Sequence, residues 1–140
     1  MRKLYFIVSL ALGLGWSSMA KAQLCDTIAT ICSKHIATKF ISDGQTYRAL
    51  LLNDQYAEFH TTFYGGTLYR IAACSGMTDG NLIFNIKDQE GNLLFTNKDF
   101  KNAPYWDFKI TSTIDCSIEA FLNPETQASG CAVLLIGFKQ

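Results

Sequence analysis

No stretch of this chain is long and apolar enough to cross a bilayer as a helix. Its longest apolar run, Leu4 to Trp16, holds about 13 residues where a spanning helix needs roughly 20. Basic runs are absent as well, which argues against nucleic acid and against an anionic membrane surface as partners. The chain has two histidines, His35 and His60, beside five cysteines. Neither histidine sits in an elbow or a glycine-rich context, so Cys-His nucleophilic catalysis has little to work with. Repeats, low-complexity tracts and interdomain linkers are missing too, and the length suits one core. No cofactor motif is present.

What is there begins with a leader. Arg2 and Lys3 precede the apolar run, and Ser17, Ser18, Met19, Ala20, Lys21 and Ala22 follow it, ending in an Ala-x-Ala site. This reads as a cleavable signal peptide over residues 1–22, leaving residues 23–140 as a single domain in the periplasm or outside the cell. A lipid anchor on Cys25 is the rival reading, but Leu24 is bulky where lipoprotein processing wants a small residue. Losing Arg2, Lys3 and Lys21 reduces the 12 basic residues to 9 against 12 acidic ones, a mildly acidic balance.

All of Cys25, Cys32, Cys74, Cys116 and Cys131 follow the leader, and an exported chain meets an oxidising compartment. Two disulfides and a spare thiol is the natural arithmetic. The spare is either a buried cysteine behaving as a small hydrophobe or a reactive, intermolecular thiol.

Ile28, Ile31, Cys32, His35 and Ile36 recur at the spacing of one helix face, predicting a short amphipathic helix from Asp26 to Ala37 capped by Asp26 or Thr27. On it Cys25 and Cys32 lie two turns apart, about 10 Å, too far to bond to each other. From Thr38 the period becomes two. Turn signals arrive at short intervals: Asp43-Gly44, Gly65-Gly66, Asp79-Gly80, Glu90-Gly91, Asn102-Ala103-Pro104 and Asn123-Pro124. The strands predicted are Thr46 to Leu52, Tyr56 to Tyr64, Thr67 to Cys74, Leu82 to Asp88, Leu93 to Thr96, Tyr105 to Ser112, Asp115 to Leu122 and Cys131 to Phe138. The fold class that follows is mainly β, an antiparallel β-sandwich of about eight strands, jelly-roll-like, with one N-terminal helix. Ala132-Val133-Leu134-Leu135-Ile136 has no polar residue, as a central strand covered on both faces requires.

The succession Gly65-Gly66-Thr67-Leu68-Tyr69-Arg70-Ile71, then Leu82-Ile83-Phe84-Asn85-Ile86 with Asp88 and Gly91-Asn92-Leu93-Leu94, then a late closing strand, resembles bacterial pre-peptidase C-terminal type domains. That resemblance covers about two-thirds of the chain and implies a small jelly-roll sandwich. Acidic strands are usual in those domains, whereas Asn81-Leu82-Ile83-Phe84 carries no acid. Asn102 to Phe108 and the closing Gly130 to Lys139 are similar to segments of uncharacterised secreted proteins of Gram-negative bacteria, which implies location and fold alone.

Each constellation has a plain structural reading beside its functional one. Cys32 and His35 make a C-x-x-H half-site for zinc, but no second half-site follows. Asp88-Gln89-Glu90-Gly91-Asn92 has the carboxylates and glycine of a calcium loop without the downstream bidentate glutamate, so it reads as a hairpin turn. Asp79, Asn81 and Asp88 meeting at one sandwich end would be weak calcium ligands. Tyr64, Tyr69, Tyr105 and Trp106 are candidates for an apolar ligand platform, against the alternative that Trp106 and Phe108 are core and Tyr105 shields a sheet edge. A turn near Asn123 would bring Cys116 and Cys131 near register, predicting a bridge between them, with Cys74 bonding Cys25 or Cys32. Three functional readings follow: a non-catalytic binding or accessory module for a protein or carbohydrate ligand; a structural envelope protein joined through a sheet edge or the spare cysteine; and a small hydrolase using His60 with Asp54 or Glu58.

Overall fold

The computed structural model describes residues 19–36 and 39–139, with side chains from residue 24 onward. Residues 1–18 of the expected leader, and Ala37 at the expected helix end, lie outside the described residues. Among the described residues one helix, α1 (Met19–Ser33), precedes eight strands: β1 (Ile41–Leu52), β2 (Tyr56–Phe63), β3 (Thr67–Cys74), β4 (Leu82–Asp88), β5 (Leu93–Thr96), β6 (Tyr105–Ile110), β7 (Ile114–Leu122) and β8 (Ser129–Lys139). They form two four-stranded antiparallel sheets, ordered β1-β8-β3-β6 and β2-β7-β4-β5. Successive strands mostly alternate between the sheets, the interleaving of a jelly roll, as the expected fold class has it.

Alternation explains the layers. Ile71, Ala73, Leu134 and Ile136 of the first sheet meet Phe84, Ile86, Ile118 and Ala120 of the second in one buried core. The other face of the first sheet offers Ala72, Cys74, Val133 and Leu135, and α1 lays Ile28 and Cys32, and the turn after it Ile36, onto it. β8 is thus apolar on both faces because one lies in the sandwich and the other lies under the helix. Burying a Val, Leu or Ile side chain is worth about 1.5–3 kcal/mol, so this second layer carries much of the helix's stability.

Several expectations change. The helix begins at Met19, well ahead of the predicted start, so Asp26 sits within it and pairs with Arg48 of β1 instead of capping it. Asp43-Gly44 is not a turn before a strand but a bulge inside β1, where the pairing with β8 shifts between Ser42 and Thr46. A 3-10 turn at Asn97–Phe100 follows β5, where the sequence pattern predicts no element.

The predicted Cys116–Cys131 bridge does not form. β7 and β8 belong to opposite sheets, so the chain crosses the sandwich after Asn123 rather than making a hairpin. Cys116 joins the sandwich core, whereas Cys131 lies under the helix. Cys25 bonds Cys131 and Cys32 bonds Cys74, with Cα separations of 5.5 and 5.8 Å. Both disulfides therefore staple α1 to the first sheet, and Cys116 is a buried free thiol. Burial, more than the nearby charges of Asp88 and Asp115, pushes its pKa up.

Candidate functional site

The second sheet turns one face to the core and the other to solvent, and on that outer face the register gathers charge. Glu58 of β2 stands directly opposite Glu119 of β7, and Asn85 of β4 completes the row. In the next row His60, Ser117 and Lys87 align, and then Thr62 with Asp115. Two carboxylates directly opposite across a strand pair repel. Lys87 relieves one by donating to Glu119 at 2.7 Å, and His60 Nε2 lies 3.2 Å from Glu58 Oε1. Thr62 Oγ1 donates to Asp115, whose other oxygen accepts from Gln89 Nε2 at 3.0 Å.

Two loops raise walls around this face. The β1 bulge brings Asp43 and Gln45 to one side, and the β4–β5 turn brings Asp88 and Gln89 to the other, enclosing an open groove of about 860 Å³. The turn is held by Asp88, whose Oδ1 accepts from the amides of Glu90 and Asn92 at 3.0 and 2.8 Å, while Gly91 takes a φ of +85°. Hydrogen bonds from Asn92 hold the Asp88 carboxyl below its ordinary pKa. Asp43 is pushed the opposite way by burial, and burial together with Asp43 raises Tyr47. Contact with Glu119 raises Lys87. Asp43, Glu58, Asp88, Asp115 and Glu119 thus confront a single lysine, and the groove is strongly anionic at neutral pH. Such a surface can take the ammonium and guanidinium groups of a cationic partner.

The residues singled out from the sequence are dispersed. Asp79 and Asn81 precede β4 and Asp88 ends it, about 20 Å away along the strand. Asp79 pairs with His35 at 3.1 Å, and Asn81 Nδ2 donates to the Ser75 and Thr78 carbonyls. Among the described residues no three His, Cys, Asp or Glu side chains converge as metal ligands would. Cys32 is bridged to Cys74, so the Cys32–His35 half-site offers no thiolate. His60 is 77 % exposed with Glu58 beside it, while Asp54 lies in the β1–β2 turn.

The four aromatic candidates do not share a face. Tyr69 is buried against Phe63, and its hydroxyl accepts from the Tyr64 amide at 2.9 Å. Trp106 packs into the sandwich core, and Tyr64 is exposed just beyond β2. Tyr105 turns outward, where its ring covers the Arg70 guanidinium at 4.3 Å and Phe40 covers it at 4.4 Å. Arg70 also makes two hydrogen bonds to Asp107, at 2.7 and 2.9 Å, and donates to the His35 carbonyl at 2.9 Å. That cluster clamps the segment after α1 onto β3 and β6.

Sequence reasoning missed the groove. Asp115 and Glu119 look like ordinary solvated positions on alternating strands, Glu58 is singled out only beside His60, and the register between strands alone brings the three together.

No family model matches the sequence, and no curated protein matches it. Among solved structures the fold is similar to that of a periplasmic lysozyme inhibitor of g-type lysozyme from Aeromonas hydrophila, with a TM-score of 0.53 and 8 % identity, covering 71 % of this chain and 88 % of that one. At that identity the likeness is one of fold.

Proposed function

We propose that this chain is an exported, non-catalytic binding module whose anionic groove takes a protein partner with a cationic surface. The observation that carries the reading is the facing of Glu58 and Glu119 inside a groove that adds Asp43, Asp88 and Asp115. Like charges set opposite one another cost stability, and a functional surface is where such a cost is retained. Two disulfides tying helix to sheet fit an oxidising compartment, in keeping with the leader read from residues 1–22. The structural neighbour, a periplasmic inhibitor of g-type lysozyme, supports the same use of this fold as a protein-binding scaffold.

Joining of copies through the spare cysteine finds no support, because the Cys116 thiol is buried in the sandwich. The experiment is a calorimetric titration of the disulfide-bonded chain with a g-type lysozyme and, separately, with strongly basic proteins, at low and at high salt. Saturable binding that weakens as salt rises is expected. Failure to bind any of them, or binding indifferent to salt, refutes the reading.

A further inference from the structure

The sandwich is only partly closed along the side where β5 and β6 are the edge strands, by Phe95 and Phe100 packed on Trp106 and Phe108. β5 spans Leu93–Thr96 and β6 spans Tyr105–Ile110, so the shorter strand does not cover the length of the longer. In consequence Trp106, Phe108 and Ile110, which point into the sandwich, stay half-buried, whereas Ile71 and Tyr69, opposite the first two on β3, and Ile136 on β8 are buried. Between the sheets at this side lies a cleft of about 220 Å³. Phe95 closes one end by reaching across to Trp106 and Phe108, its ring centroid 5.5 and 4.9 Å from theirs, and beyond it Phe108 and Ile110 face Ile86 and Ile114, with Phe63 alongside. Leu94, 51 % exposed, stands at the mouth.

We propose that this cleft binds a compact apolar molecule, an aromatic ring system or the end of a hydrocarbon chain of about ten heavy atoms. Its size decides the class. An engineered apolar cavity of about 150 Å³ takes benzene, so one half as large again accommodates a naphthalene-sized ligand. It is too small for a strand or a helix of a partner. Its chemistry agrees, because every lining residue is apolar apart from the Cys116 thiol, itself held protonated by burial. Water inside would lack the hydrogen-bond partners it needs. The cleft is distinct from the anionic groove: one holds carboxylates on the outer face, the other hydrocarbon between the sheets.

The test is titration of the disulfide-bonded chain with naphthalene, and separately with octanol, followed through the methyl resonances of Ile86, Ile110 and Ile114. Saturable shifts confined to those methyls, with the two ligands competing, are expected. Leu94→Trp places bulk at the mouth, at an exposed position where folding is not at stake, and should weaken binding at least tenfold. Ile114→Phe, which fills the cleft from within, gives a second arm if the mouth is wider than Leu94 alone controls. Shifts that never saturate, or that fall equally on exposed Leu50 and Leu52, overturn the proposal, as does full affinity in both variants. Displacement of these methyl signals by a protein partner but by neither small molecule would assign the cleft to that partner's side chain and overturn it too.

Discussion

Removing the Cys25–Cys131 bridge by Cys25→Ala with Cys131→Ala tests how the helical layer is held. The bridge joins residues 106 positions apart and encloses the Cys32–Cys74 bridge, whose separation is 42. With the inner bridge intact, the outer one closes a loop of about 65 residues in the unfolded chain, and loop-closure entropy assigns it about 4 kcal/mol. For a domain of this size that corresponds to a fall in melting temperature of about 15 °C. The loss should be larger in effect at the helix than in the sandwich, because ahead of the remaining Cys32–Cys74 bridge the helix then keeps only the burial of Ile28 and the Asp26–Arg48 pair. Calorimetry of the variant gives the first quantity, and hydrogen exchange at the α1 amides gives the second. A fall below about 3 °C with undiminished protection of α1 would show that burial and the Cys32–Cys74 bridge suffice to hold the layer, and the account of the Cys25–Cys131 bridge as its staple would be wrong.

Asn97 is fully buried, accepting from the Phe84 amide at 2.9 Å and donating to the Leu82 and Ala103 carbonyls at 3.0 Å each. Asn97→Ala strands those three backbone groups and should cost about 3 kcal/mol or more by urea denaturation; a loss under about 1 kcal/mol contradicts this. Gly65 faces the 111–113 turn so closely that a Cβ would sit 2.8 Å from the Thr111 carbonyl oxygen. Gly65→Ala should therefore destabilise by about 1–3 kcal/mol, and a neutral melting temperature would refute the packing described. The two groove walls should titrate in opposite senses about the ordinary aspartate value of 3.8, with Asp43 above it and Asp88 below. Ionised Asp43 therefore opposes folding, and that cost is relieved as pH falls through its raised pKa. Asp88 contributes stability above 3.8 that is lost as pH falls through its depressed pKa. Carboxyl NMR titration reads both midpoints, and the reverse order would contradict the hydrogen bonding of the turn.

Much of the sandwich was legible because each strand needed only its own alternation. β3, β4 and β5 occupy the residues expected of them, and the all-apolar run from Ala132 to Ile136 is the doubly covered strand it suggested. What failed was information held between segments. Adjacent position in sequence suggested a β7–β8 hairpin and a Cys116–Cys131 bridge, but a jelly roll sends consecutive strands to opposite sheets. Cys74 bonding the helix was correct in kind, and only the fold selects Cys32 over Cys25. The groove was invisible for the same reason, since Glu58 and Glu119 lie far apart in sequence and meet through register alone. Asn97 gave no sign either, because a buried asparagine and a loop asparagine are spelled alike.

The most direct measurement is the affinity for a g-type lysozyme or another basic partner of the natural chain beside a variant carrying Glu58→Gln, Asp115→Asn and Glu119→Gln. These changes remove three charges while preserving shape, on a face that contributes little to the core. The account predicts an unchanged melting temperature or a modest rise, with binding weakened at least tenfold and its salt dependence flattened. Equal affinity in the two proteins would contradict the assignment of this groove as the binding face.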